Sequence, residues 1–149
     1  RLPSVIRAAI LEHHGTTVTI YQYEKAVEEM GKAEVEIDDF TYPGPKPQSW
    51  ETALLMLADG CEAKARSDNP TATNEIDEIV RYIINRRLRQ GQLDECNLSL
   101  TDLDKVRVSF VNTLTGFFHS RLQYPKSPTE ESTVHNMGTP EPRSLPASE

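Results

Sequence analysis

Two adjacent histidines and one aspartate are the side chains best suited to chemistry in this chain. His13 and His14 stand directly before Gly15, and Asp59 follows the apolar run Ala53-Leu54-Leu55-Met56-Leu57-Ala58. Neutral imidazole is the commonest metal ligand. Consecutive helical residues lie about 100° apart, so at a helix end both rings can point into one cavity. The blander alternative is one core histidine bonded to a carbonyl and one facing solvent. An aspartate after such an apolar run is expected to be desolvated, and a buried carboxylate needs a cation, a metal or strong donors. Its partner is either a metal ion or an arginine such as Arg66. Together the three side chains make a mixed nitrogen and oxygen set, which suits iron, manganese or zinc better than soft-metal chemistry. They could hold one ion with open positions and are too few for two.

Other candidates carry less. Lys46 lies in a Pro-rich stretch where it could meet a phosphate, although a solvated lysine is the commoner case. Cys61 reads as core, and Cys96 has no neighbouring histidine to activate it. His119 reads as a packing or capping residue, and Glu24, Glu28 and Glu29 as a solvated helix face. The sequence holds no P-loop, GxGxxG or GxSxG element.

Helices must position these residues. Periodicity predicts the first over about residues 3–14, with Leu2, Ile6, Ala9, Ile10 and His13 on one face and Gly15 stopping it. A second follows, capped by Thr16 or Thr17, striped by Ile20, Tyr23, Val27 and Met30, and ended by Gly31. Residues 32–47 read as irregular, because Pro43, Pro45 and Pro47 remove donors and extend their predecessors. A third helix is expected over about 49–66, with Trp50, Leu54, Leu57, Cys61 and Ala65 on one side and an apolar middle buried on several sides. The fourth, about 73–90, places Ile76, Ile79, Val80, Ile83, Ile84 and Leu88 at helical spacing, with acids first and arginines last as the helix dipole favours. The fifth is expected to start at Thr101 with an Asp104 capping box and to end near Tyr124, striped by Leu103, Val106, Phe110, Leu114 and Phe117. Residues 126–149, rich in Pro, Ser, Thr and Glu, read as a disordered tail. The expected fold is thus an all-α bundle of about five helices over residues 1–125, followed by that tail.

Composition narrows the function. The 149 residues suffice for one domain, and their net charge of −7 speaks against a protein coating DNA or RNA through phosphate contacts. It does not speak against a small anionic substrate, because bound metal ions can outweigh local side-chain charge. Cys61 and Cys96 lack CxxC spacing and read as reduced thiols. No apolar run is long enough to span a membrane, and the first residues do not read as a signal peptide. The chain does not begin with Met, so a fragment is expected.

Several stretches together resemble one family: Glu12-His13-His14-Gly15-Thr16-Thr17, Asp39-Phe40-Thr41-Tyr42-Pro43-Gly44-Pro45-Lys46-Pro47-Gln48, Met56-Leu57-Ala58-Asp59, Gly91-Gln92-Leu93-Asp94-Glu95-Cys96 and His119-Ser120-Arg121-Leu122-Gln123-Tyr124-Pro125. Their order and spacing are similar to the cytosolic HD domain of the seven-transmembrane HD phosphohydrolases. That family includes bacterial phosphodiesterases that cleave cyclic di-adenosine monophosphate. The resemblance covers the C-terminal part of the domain and implies two divalent metal ions, iron or manganese, in the complete domain. It matches His13, His14 and Asp59 to metal ligands, and it makes Thr16, Thr17 and Lys46 substrate-binding candidates. It implies two-metal hydrolysis of a cyclic dinucleotide to a linear one.

The family's His-Asp dyad occurs nowhere in this sequence. The dyad, two further histidines and the membrane helices are expected upstream, which places this domain at the cytosolic face of a membrane. The chain alone is expected to bind metal weakly, to turn over no substrate, and to expose apolar surface or self-associate. The competing expectation is a non-catalytic helical interaction module, or a degenerate HD domain, in which the histidine pair is incidental.

Overall fold

The computed structural model describes residues 2–119. Expectations for the His119 side chain, for the helix end near Tyr124 and for the tail lie outside the described residues. The helices are α1 (Ser4–Glu12), α2 (Ile20–Met30), α3 (Trp50–Asp68), α4 (Thr73–Arg89) and α5 (Leu100–His119). Short 3-10 turns at Lys32–Glu34 and Ile37–Phe40 lie between α2 and α3.

Local signals set most boundaries. Ser49 caps α3 by accepting a bond from the Thr52 N–H, and Asn69, at φ 49°, closes it in the left-handed region. Glu75 reaches back to accept from the N–H groups of Thr71 and Ala72 at the start of α4. Two predicted caps move. Thr19, not Thr16 or Thr17, precedes α2. Its hydroxyl donates to the Phe40 carbonyl, while that of Thr17 donates back to the His14 carbonyl and that of Thr16 pairs with the Gln92 side chain. Helix α5 starts earlier than expected, because Ser99 and Asp102, rather than Thr101 and Asp104, make the reciprocal cap.

Helices α3, α4 and α5 pack on one another, and α1 packs on α3. Ala53, Met56, Leu57 and Cys61 of α3 meet Ile76, Val80, Ile83 and Ile84 of α4, with Leu103 and Val111 of α5 closing the core. The α4 stripe is buried as its spacing predicts. The middle of α3 is not buried all round: Leu55 is 41% exposed, and Trp50, placed on the buried side by its spacing, is 45% exposed.

Helix α1 packs through only part of its apolar stripe, shifted toward Ala8 and Glu12. Ala8, Ala9 and Glu12 turn toward α3, whereas Leu2, Ile6 and Ile10 are 57%, 46% and 56% exposed. The expected exposed apolar surface is therefore present, on α1. Among the described residues no helix is long and apolar enough to cross a membrane.

Candidate metal site

The turn between α1 and α2 brings the two imidazoles together. Helix α1 ends at Glu12, and Gly15 adopts φ +54°, a left-handed conformation that glycine takes at least cost. The ring centroids of His13 and His14 lie 4.0 Å apart. Nδ1 of His13 stands 2.9 Å from the Ala9 carbonyl oxygen and 3.0 Å from that of Ile10. A carbonyl only accepts, so in the neutral ring Nδ1 is the nitrogen that carries the proton and Nε2 the one with the lone pair. A backbone-anchored Nδ1–H is the usual arrangement of a metal-binding histidine.

His14 is held from its other side. The loop after the second 3-10 turn runs beside the histidine turn, paired by an isolated antiparallel bridge between Val18 and Thr41. The Thr19 N–H donates to the Phe40 carbonyl and the Tyr42 N–H to the Thr17 carbonyl. This pairing lays the Tyr42 ring on His14, with centroids 4.2 Å apart and planes at 19°. Burial, then the neighbouring His13, then Arg87 lower the pKa of His14 against a raising effect of Asp59. Its ring therefore stays neutral, with a lone pair available, to lower pH than a free histidine.

Asp59 departs from its expected setting. It is exposed, one turn after exposed Leu55 on α3, and is not the desolvated acid that the preceding apolar run suggested. The reason is geometric: α3 buries Ala53, Met56, Leu57 and Cys61, and Asp59 lies off that face. Arg66, offered as its partner, pairs with Glu62 at 2.9 Å instead. Among the described residues Asp59 forms no ion pair within 4.0 Å, but its charge acts on both His14 and Arg87. The guanidinium of Arg87 lies against Gly60, with its Nε buried and unbonded. Among the described residues no three His, Cys, Asp or Glu side chains are gathered closely enough to hold a metal ion. The structure thus joins His13 to His14 and leaves Asp59 outside their immediate contact.

The substrate candidates separate. The Thr17 hydroxyl is buried and donates to the His14 carbonyl at 2.8 Å, so it braces the turn. Thr16 is gripped by Gln92. Lys46 is half-buried, and its ammonium lies beside Gly91.

Two residues that organise the site were given no role by sequence reasoning. Glu12, 8% exposed, accepts from the Thr52 hydroxyl at 2.7 Å and the Gln48 N–H at 2.9 Å. Gln92, 3% exposed, holds Thr16 from the loop after α4. Both fall within stretches that carry the family resemblance, but neither type nor spacing marks a buried clamp.

No model of a known protein family matches the chain. The cyclic-di-AMP phosphodiesterase PgpH of Bacillus subtilis (strain 168) is 40% identical over 116 residues, which is 78% of this chain and 16% of that protein. PgpH of Listeria monocytogenes serotype 1/2a is 38% identical over 124 residues, 83% of this chain and 17% of that protein. The chain therefore spans less than a fifth of the length of these relatives. The crystal structure of the L. monocytogenes PgpH HD domain in complex with cyclic-di-AMP is similar with a TM-score of 0.74 at 37% identity, covering 83% of this chain and 57% of that one. The all-α chain is a homologue of the HD domain of the PgpH phosphodiesterases, matching part of that domain's length.

Proposed function

We propose that this chain is part of the HD domain of a metal-dependent phosphodiesterase that hydrolyses a cyclic dinucleotide, cyclic-di-AMP, to the linear form. The observation that carries the reading is the adjacent imidazole pair in a homologue of a domain crystallised with cyclic-di-AMP, with His13 Nδ1 tied to carbonyls so that Nε2 is free to ligate. The described residues 2–119 belong to the domain part. The remaining metal ligands come from the preceding part of the domain. Membrane helices of the parent protein place it at the cytosolic face.

The residues present fit the nitrogen share of such a centre. His13 and His14 would hold the metal, iron or manganese, and Asp59, whose charge already reaches His14, is the candidate oxygen ligand. When bound, a pair of divalent ions supplies an activated water and stabilises charge developing on the attacked phosphate. Hydrolysis adds water across one phosphodiester, breaking a P–O bond to leave a terminal phosphate and a free hydroxyl. The chain's own contribution is orientation. The carbonyls of Ala9 and Ile10 fix the His13 tautomer, and Tyr42 fixes the plane of the His14 ring. Lys46, near the same loops, supplies a cation for a substrate phosphate.

The competing reading, a helical module without catalysis, draws on the exposed apolar face of α1 and on the absence of a three-ligand cluster among the described residues. The test uses the protein extended by the preceding part of its domain, incubated with Mn²⁺ and cyclic-di-AMP. The expected result is a linear dinucleotide with wild type and at least a hundredfold less with His14→Ala. Equal rates in both proteins, or no metal retained by the extended wild type, would overturn the phosphodiesterase reading.

A further inference from the structure

The side chain of Gln92 reaches the histidine turn from the loop after α4. We propose that Gln92 is a positioning residue for His13 and His14, fixing the turn so that both rings can meet a divalent cation; this rests on the metal-ligand reading above. The Gln92 amide uses both of its ends on one residue. Its Oε1 accepts from the Thr16 N–H at 2.9 Å, and its Nε2 donates to the Thr16 hydroxyl at 2.9 Å and to the Gln90 carbonyl at 3.3 Å. Its own root is pinned, because the Gln92 N–H donates to the Arg87 carbonyl at 3.0 Å, and Gly91 turns the chain there at φ +63°. The turn is shaped around the amide. A Cβ at Gly15 would overlap Gln92 Oε1 and press on Met56 Cε, so the close approach requires glycine as much as the positive φ does.

Placement separates this role from general packing. The histidine pair has one anchor on each side. Glu12, before the rings, ties the end of α1 to Thr52 of α3 and to the Pro-rich loop. Gln92, after the rings, ties Thr16 to the end of α4. The loop carrying Gln92 gives the apolar core Leu93, Cys96 and the partly buried Leu98, and Gln92 itself is not part of that cluster. Leucine would fill much the same space while orphaning the Thr16 N–H and hydroxyl, which leaves the turn free to move.

The experiment is a Mn²⁺ titration of the chain extended by the preceding part of its domain, isotopically labelled, followed by line broadening of the His13 and His14 ring signals. The core methyl signals of Leu57 and Val80 report whether each variant remains folded. With wild type both rings broaden together. Gln92→Leu is expected to need about tenfold more Mn²⁺, the scale on which outer-shell partners act on metal sites. Thr16→Val, which removes only the hydroxyl, should show a smaller shift in the same direction, and Thr16→Ser should match wild type. A folded Gln92→Leu protein whose rings broaden at the wild-type Mn²⁺ concentration overturns the positioning role and leaves the metal reading intact. Should Gln92→Leu fail to fold, Thr16→Val decides by the same comparison. Wild-type rings that never broaden overturn the metal reading, and the proposal with it.

Discussion

Tyr42 lies flat against His14, its ring centroid 4.2 Å away and its plane 19° off parallel. The contact exists because the Val18–Thr41 bridge aligns the start of the Pro-rich loop with the histidine turn. A stacked pair of this kind contributes about 0.5–1.5 kcal/mol beyond its buried area. Tyr42→Phe keeps the stacking surface, and Tyr42→Ala removes it. In Tyr42→Ala, stability in urea is expected to fall by about 1 kcal/mol. The His14 ring signals should also move toward averaged values. Tyr42→Phe should change neither. Unaltered His14 signals in the alanine variant would show that the ring is held by other groups.

Glu12 is the buried acid of this site, a part that the sequence had pointed to Asp59 for. Its Oε2 accepts from the Thr52 hydroxyl at 2.7 Å and from the Gln48 N–H at 2.9 Å. Truncation orphans both donors, and a hydrogen bond to a charged group is worth about 1.5–3 kcal/mol. Glu12→Ala is expected to lose about 3 kcal/mol by chemical denaturation, with Glu12→Gln losing less because it retains one acceptor. Thr52→Val should be close to additive with neither change, since both act on one shared bond. Additive losses in Glu12→Ala and Thr52→Val would remove the claimed coupling.

Asp77 carries a pH dependence that involves no metal ligand. Hydrogen bonds from Arg81, and then from Arg107 of α5, hold its carboxyl below the usual aspartate range. The unfolded chain therefore binds a proton at Asp77 before the folded chain does. The stabilisation is fully present above about pH 4, the ordinary aspartate value, and is lost as pH falls through the lower folded value. Melting of wild type and Asp77→Asn across pH should show a difference at neutrality that narrows in acid. A difference that stays constant with pH would assign the effect to shape rather than charge.

Much of this fold is readable one element at a time. The isoleucines of α4 recur with the helical period, and burying that stripe against α3 is the commonest way to satisfy it. Gly15, Gly31 and Gly91 mark real breaks, each at positive φ. Local spacing does not encode a setting that depends on which neighbour covers a residue. The stripe of α1 suggested a buried face, yet Ala8, Ala9 and Glu12 meet α3 while Ile6 and Ile10 remain exposed. Asp59 was placed by the apolar run before it, and its exposure follows from the packing of α3, which that run does not encode.

By itself, then, the sequence determined the helical class, the helix order and the adjacency of His13 and His14, because each follows from short-range periodicity, glycine breaks and covalent neighbourhood. Only the tertiary structure decided that Tyr42 stacks on His14, that Gln92 grips Thr16, that Glu12 is the buried acid and that Asp59 stands in the open. Those relations join residues from separate loops and helices. Hydrogen bonds and ring contacts act over a few ångströms, so their partners are fixed by how the elements pack and not by local spacing.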